Sequence, residues 1–171
     1  MPRLFFALWP DEGVRNELFR AAQATQPGSG GRLMRRENLH QTVVFVGNVG
    51  DPELPSLKAA AASLDLPAFT LQFGRMRYWR HNRIVWAAPL ATPESLGRLV
   101  KALEARMAAA GIEYDRRDYQ PHITLIRDAR SPAEFMPLDF EWRVNDFTLI
   151  ESAHDGRRVN YGVIARWPLA D

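Results

Sequence analysis

Cysteine is absent from this chain of 171 residues. Without a thiol the protein forms neither a disulfide nor a thiolate metal site, and it has no cysteine nucleophile. Long apolar runs are also missing, since the apolar stretch near the N-terminus covers only residues 4–9. Such a stretch is shorter than a membrane span or the apolar part of a secretory signal requires. We therefore expect a soluble protein without a membrane partner, located in the cytoplasm.

Lysine is scarce as well, because only Lys58 and Lys101 are lysines among the 22 basic residues. The remaining basic residues are arginines, whose planar fork of donors suits phosphate groups. An arginine-rich coding bias would produce the same composition. The net charge of +2 does not by itself indicate nucleic-acid binding.

The length and even composition predict one domain over residues 1–171. Apolar periodicity, capping residues and turn signals predict strands at 3–9, 39–47, 68–79, 83–88, 122–127, 140–152 and 159–167. They predict helices at 11–25, from Asp51-Pro52 to about 64, and from Thr92-Pro93 to a stop at Gly111. Residues 26–31 are expected to form a loop, and Gly74 is expected to mark a bulge. Interleaved helices and strands with several hairpins favour the α+β class over a doubly wound parallel sheet.

Two segments share one local pattern: LHQTV at residues 39–43 and PHITL at residues 121–125. Each is expected to begin a strand. Because side chains alternate across a strand, His40 and Thr42 share one face, as do His122 and Thr124. A single His-X-Thr arises readily in any strand, where a half-buried histidine needs no functional explanation. Two copies, each on a strand preceded by a helix, indicate a site.

The paired motifs suit attack on a phosphodiester. One neutral imidazole can take a proton from the nucleophile while a protonated one donates to the leaving oxygen. Threonine hydroxyls can donate to the non-bridging phosphate oxygens. Histidine titrates near neutral pH, so both protonation states are accessible. The motifs therefore predict acid–base catalysis that needs no metal and no other cofactor.

With these motifs the chain resembles the 2H phosphoesterase superfamily, and within it the RNA 2′,3′-cyclic phosphodiesterase family, historically called 2′-5′ RNA ligases. The resemblance rests on RLFFALWP at the start, ENLHQTVVFVG, RIVWAAP, QPHITLIR and residues 161–169. It implies an α+β, bilobal fold with two pseudo-symmetric lobes of antiparallel strands, helices outside and a central cleft. It also implies that His40 is the proton donor and His122 the proton acceptor. Residues 33–36 (LMRR) depart from the family, because relatives often carry an aromatic residue there.

Several other residues are weaker candidates. Relatives commonly carry an arginine at the position of Arg127, which is therefore a candidate for binding substrate phosphate; strict alternation places it opposite His122 unless the strand bulges first. Phe45 could stack on a base, but its position in the alternation favours the core. His81 lies in an arginine-rich hairpin that is either a basic rim or a solvated tip, and His154 is expected in a turn. The carboxylates show no metal-binding pattern, and GSGG at residues 28–31 lacks the lysine of a P-loop.

We therefore expect hydrolysis of RNA terminal 2′,3′-cyclic phosphates, and the resemblance implies that the product is a 2′-phosphate. RNA or oligonucleotide ends are the expected partners, with no obligate protein partner. His40, His122, Thr42 and Thr124 are the expected catalytic residues. ATP-independent 2′-5′ ligation in the same site remains an alternative, because the motifs do not separate the two directions. A non-catalytic RNA- or nucleotide-binding module and a small cyclic-phosphate metabolite as substrate also remain open.

Overall fold

The structure, a computed structural model, describes residues 3–156 and 158–171. The elements in these ranges are β1 (Arg3–Leu8), α1 (Glu12–Ser29), β2 (Arg32–Leu33), a 3₁₀ turn (Arg36–Asn38), β3 (Gln41–Asn48), α2 (Leu54–Ala62), β4 (Phe69–Trp79), β5 (Ile84–Pro89), α3 (Glu94–Ala109), β6 (Ile123–Arg127), β7 (Phe140–Val144), β8 (Asp146–His154) and β9 (Val159–Pro168).

The strands form two sheets, and their pairings are antiparallel. The first sheet has the order β3-β1-β8-β9, and the second has the order β2-β6-β5-β4-β7. Each motif strand pairs with a strand of its own sheet, β3 with β1 and β6 with β5. The two motifs thus belong to different sheets, with β3 at the edge of the first and β6 between β2 and β5 in the second.

Helices α1 and α3 each pack against the sheet that does not contain the strand before them. Helix α1 follows β1 of the first sheet but packs against β6 and β7 of the second. Helix α3 follows β5 of the second sheet but packs against β3 of the first, and α2 packs on α3 and β9. Apolar side chains from both sheets and all three of these helices join in one buried cluster. The predicted α+β, bilobal arrangement with outer helices is confirmed.

The first helix is longer than the sequence predicts. It continues through Pro27 to Ser29, so the predicted loop at residues 26–31 is wrong for its first four residues. Burial of Thr25 and Ser29 holds this last turn against the protein. Gly30 ends the helix with a positive φ of 60°, and its N–H donates to the carbonyl of Gln26.

The second helix begins later than expected. It starts at Leu54 rather than at Asp51-Pro52, with Pro55 in its first turn. The Glu53 carboxylate accepts the N–H of Gly50 at 3.0 Å, which closes a turn ahead of the helix. A proline suits this position because its missing N–H has no partner in the first turn of a helix.

The predicted strand at residues 140–152 is divided. It forms β7 in the second sheet and β8 in the first, separated by Asn145. The Asn145 carbonyl accepts the N–H of Leu169 at 2.8 Å, so the crossing point is tied to the end of β9. The chain passes between the lobes here without a loop.

Two further predictions have clear outcomes. The bulge at Gly74 is confirmed, because the β4–β5 register shifts between Phe73 and Arg75. Of the expected hairpins, β8 and β9 form one, although Arg157 between these strands lies outside the described residues.

Candidate active site

The two motif histidines line one cleft of about 920 Å³ between the lobes. His40 directly precedes β3 and His122 directly precedes β6. Thr42 and Thr124 lie on these strands, are half-buried, and line the same cleft. The structure therefore brings together the four residues that the paired motifs singled out.

Both imidazoles are held in the same way by the backbone. His40 Nδ1 lies 2.7 Å from the carbonyl oxygen of Asn38, and His122 Nδ1 lies 2.8 Å from that of Gln120. A carbonyl oxygen only accepts, so each Nδ1 is the donor and carries a hydrogen. In the neutral ring this leaves Nε2 without a proton. Each histidine thus has a fixed orientation and one nitrogen for proton exchange.

His40 is surrounded by aromatic rings. The Trp9 ring stacks on it with centroids 5.2 Å apart and planes 8° apart. Phe5 and Tyr161 each approach it with centroids at 5.1 Å. This burial lowers the pKa of His40 to about 4; the hydrogen bond to Asn38 opposes the shift, and the charges of His122 and Arg127 add to it.

His122 is less enclosed. Its ring contacts Trp79 edge-on at a centroid distance of 4.8 Å and Trp86 at 6.0 Å. Burial is the largest cause that lowers its pKa, the hydrogen bond to Gln120 raises it, and the charge of Arg127 lowers it further. Because burial disfavours the cation, both rings are biased toward the neutral form in the unliganded protein.

Both motif strands carry a bulge at the third residue after the histidine. In β3, Val44 pairs with Phe6 and Thr42 pairs with Ala7, so Val43 is the extra residue. In β6, Ile126 pairs with Val85 and Thr124 pairs with Trp86, so Leu125 is the extra residue. A bulge shifts the alternation of side chains by one position. The fifth residue after each histidine is therefore turned to the cleft face.

This shift places Arg127 and Phe45 in the cleft. Arg127 is exposed and lines the cleft. The sequence predicted this position for the case in which the strand bulges before Arg127. The prediction that Phe45 belongs to the core is wrong, since its side chain is 39% exposed and lines the cleft. Phe45 thus supplies an aromatic surface to the cleft, which is also lined by residues 33–35, a segment without an aromatic residue.

Sequence comparison assigns the chain to a family. It matches the model of LigT-like phosphoesterases over residues 8–86 and 88–161. It is 32% identical to the RNA 2′,3′-cyclic phosphodiesterase of Escherichia coli (strain K12), over 98% of this chain and 96% of the relative. The chain belongs to the LigT-like phosphoesterase family.

Further relatives support the same assignment. The RNA 2′,3′-cyclic phosphodiesterase of Thermus thermophilus is 30% identical, over 98% of this chain and 90% of the relative. The crystal structure of E. coli LigT complexed with 3′-AMP has a TM-score of 0.91 to this chain at 31% identity, covering 100% of both chains. The resemblance, and the bilobal fold that it implies, are thus confirmed.

A hydrogen-bonded tyrosine, which sequence reasoning missed, joins the two motifs of this LigT-like phosphoesterase. The Tyr119 hydroxyl donates to the Thr42 carbonyl at 3.2 Å and accepts from Gln41 Nε2 at 3.1 Å. Tyr119 also packs against the buried core, and burial raises its pKa, so the hydroxyl remains a donor. Its position directly before the second motif was the only available sequence signal.

The remaining candidates lie at the edge of the site or outside it. His154 is the last residue of β8 rather than a turn residue, and it lines the outer part of the cleft. His81 lies in the exposed turn between β4 and β5 and does not line the cleft. Among the described residues, no group of three or more His, Asp or Glu side chains is placed to hold a metal ion. No helix in the described ranges is long and apolar enough to cross a membrane.

Proposed function

We propose that this chain hydrolyses 2′,3′-cyclic phosphates at RNA ends to 2′-phosphates, with His122 as general base and His40 as general acid. The observation that carries the proposal is the pair of imidazoles in one cleft, each fixed through Nδ1 to a backbone carbonyl. Two orientated titrating groups are needed for proton transfer, whereas binding alone does not require them. The names of the E. coli and T. thermophilus relatives support the same reaction.

The proposed step uses water as nucleophile. Neutral His122 takes a proton from the water through Nε2 as the water oxygen bonds to phosphorus. The bond between phosphorus and the 3′ oxygen breaks, and protonated His40 gives its Nε2 proton to that oxygen. The product carries a 2′-phosphate and a 3′-hydroxyl, and the two histidines exchange protonation states, to be restored by solvent.

The lowered pKa values bear on these roles differently. For His122 the shift favours the neutral form that a base requires. For His40 burial opposes the cation that an acid requires. A bound phosphodiester supplies a negative charge that raises the pKa of a nearby imidazole. The Trp9 ring stacked on His40 offers a further attraction for the imidazolium.

The other cleft side chains fit the needs of the phosphoryl group. The hydroxyls of Thr42 and Thr124 can donate to its non-bridging oxygens, where charge increases in the transition state. The Arg127 guanidinium supplies a positive charge and two parallel donors. Phe45 offers a face on which a terminal base can stack.

The test is a short RNA ending in a 2′,3′-cyclic phosphate, incubated with the protein, with the terminal phosphate then identified. His40→Ala and His122→Ala should each reduce turnover by at least about 100-fold, as loss of a general acid or base does. The double variant should lose far less than the product of the two single losses. Arg106→Ala is the control, since it removes an exposed side chain on the outer helix α3.

Three outcomes would contradict the proposal. Full activity in either single variant would remove that histidine from the reaction. Loss of turnover in EDTA that one divalent metal restores would indicate metal-ion catalysis instead. Joining of the cyclic phosphate to a 5′-hydroxyl strand, with no hydrolysis, would indicate the ligation alternative.

A further inference from the structure

The cleft is charged with one sign only. Five arginines line it, and no aspartate or glutamate belongs to its described lining: Arg3, Arg32, Arg35, Arg127 and Arg158. A water-filled cleft lined by charges of one sign concentrates ligands of the opposite sign. Its volume of about 920 Å³ is near the upper end of the roughly 300–1,000 Å³ typical of small-ligand pockets. The cleft can therefore hold more anionic groups than one cyclic phosphate provides.

Three of these arginines have no carboxylate partner among the described residues: Arg3, Arg127 and Arg158. Arg32 lies 3.5 Å from the Asp128 carboxylate, and Arg35 lies 3.7 Å from that of Glu37. Arg3 and Arg158 form no such pair. Their guanidinium donors are thus available to a ligand.

Arg3 and Arg158 lie at the same end of the cleft. Arg3 on β1 is directly opposite Ser152 on β8. Arg158 directly precedes β9, whose first residue, Val159, pairs with His154 two residues beyond Ser152. Ser152 and His154 both line the cleft. Ser152 and His154 therefore line the same end of the cleft as the two arginines.

This end is separate from the histidine pair but adjacent to it. Phe5, whose ring contacts His40, lies two residues along β1 from Arg3. Two residues of a strand span about 7 Å, which an extended nucleotide unit can cover. Tyr161 bridges the two places, because it contacts the His40 ring and pairs with Ser152.

We propose that Arg3, Ser152 and Arg158 form a second phosphate subsite, which binds the phosphodiester immediately 5′ of the terminal cyclic-phosphate nucleotide. The inference rests on the proposed function and extends it, because it makes an RNA strand, and not a free nucleotide, the preferred substrate. The strand leaves the cleft past the β8–β9 hairpin.

The experiment compares two substrates that differ only in this phosphate. One is a nucleoside 2′,3′-cyclic phosphate without a 5′-phosphate, and the other is a dinucleotide that ends in the same nucleoside. Wild-type kcat/KM should be roughly 10-fold higher for the dinucleotide, as one charge-assisted contact provides. Arg3→Ala and Arg158→Ala should each remove most of that preference through KM, with a much smaller effect on hydrolysis of the nucleoside substrate.

Matched variants separate charge from shape. Arg158→Lys should keep part of the preference, because it keeps the charge but loses the planar fork. Arg106→Ala should keep all of it, since Arg106 is an exposed arginine on the outer helix α3. A 5′-phosphorylated mononucleotide shows whether a terminal phosphate can occupy the subsite. If kcat/KM is the same for this mononucleotide and for the dinucleotide, a free nucleotide is as good a substrate as an RNA strand. That result would overturn the proposed preference for a strand.

Failure of the inference and failure of the proposed function look different. Equal kcat/KM for the two main substrates, or equal losses on both in the arginine variants, would overturn the second subsite while hydrolysis stands. If the wild type hydrolyses neither substrate, the proposed function fails. Anisotropy of a labelled RNA that ends in a 3′-phosphate then decides the subsite. Weaker binding by Arg158→Ala than by Arg106→Ala supports it, and equal binding overturns it.

Discussion

The hydroxyl of Tyr119 donates a hydrogen bond to the carbonyl of Thr42 at 3.2 Å, joining the segment before the second motif to the strand of the first. The N–H of Asp115, in the same segment, donates to the Phe45 carbonyl at 2.8 Å. The segment before the first motif likewise contacts the strand of the second motif. Strand β2 pairs with β6, and the Met34 N–H donates to a β6 carbonyl. Each motif strand is thus bordered by the chain that leads into the other motif. These bonds fix how the two histidines lie relative to each other.

Tyr119→Phe should therefore lower both stability and turnover. It leaves the buried Gln41 amide without its acceptor, a loss that costs about 1–3 kcal/mol. We expect a lower kcat with little change in KM, because proton transfer is sensitive to small misplacement of the imidazoles. Tyr78→Phe is the matched control, since it removes a hydroxyl that donates to the Ala129 carbonyl at 3.0 Å, outside the cleft. Equal kcat losses per folded molecule in the two variants would show that Tyr119 has no positioning role.

The rate should depend on pH in a way that reflects both lowered histidine pKa values. In the free enzyme neutral His122 is lost as pH falls through its lowered pKa, which gives the acid limb. Protonated His40 is lost as pH rises above about 4, which gives the alkaline limb. The plot of kcat/KM against pH should thus be bell-shaped, with its maximum below the ordinary histidine pKa of 6.5. Its two apparent pKa values describe the coupled pair and not either histidine alone. The kcat profile should lie at higher pH, because bound phosphate raises both values. A kcat/KM that rises steadily into the alkaline range would exclude a protonated acid.

Arg127→Ala should have two separable effects. Removing a donor to the transition-state phosphate costs roughly 100- to 1,000-fold in rate. The Arg127 charge also lowers the pKa values of His40 and His122, so its loss should move the kcat/KM optimum to higher pH. Arg127→Lys keeps the charge, and we expect the original optimum with a smaller loss of rate. A rate loss without any shift of the optimum in Arg127→Ala would mean that its charge does not act on the histidines.

The sequence predicted the motif strands well but not which side chains reach the cleft. The run ITLIR at residues 123–127 places two apolar residues before a terminal arginine, a signal from which the bulge at Leu125 could have been found. The run VVFV in β3 carries no such signal, because all four of its residues are apolar. Strict alternation counted from His40 therefore placed Phe45 with the core residues. Only the pairing with β1 reveals the extra residue at Val43.

The contacts between the halves were beyond sequence reasoning for a different reason. Tyr119 and Thr42 are 77 positions apart in the chain. Their contact depends on α3 leaving the second sheet to pack against β3 of the first. Periodicity identifies the apolar stripe of that helix but not the sheet that it covers. The same limit applies to Arg3 and Arg158, which reach the same end of the cleft only because β1 and β9 both pair with β8.

Thr42→Ala and Thr124→Ala separate phosphate binding from strand packing. Each removes one hydroxyl beside an intact imidazole. If the hydroxyls bind phosphate oxygens mainly in the transition state, kcat should fall while KM changes little. The fall in kcat should be at most roughly 100- to 1,000-fold, because two hydroxyls donate to the phosphate oxygens and one remains in each variant. Thr42→Ser and Thr124→Ser keep the hydroxyl while losing the methyl group, so they should retain most of the rate. Threonines that only fill the strand would instead lower the melting temperature in both kinds of variant and leave turnover per folded molecule unchanged. Measuring kcat and melting temperature together therefore decides whether the hydroxyls act on the substrate.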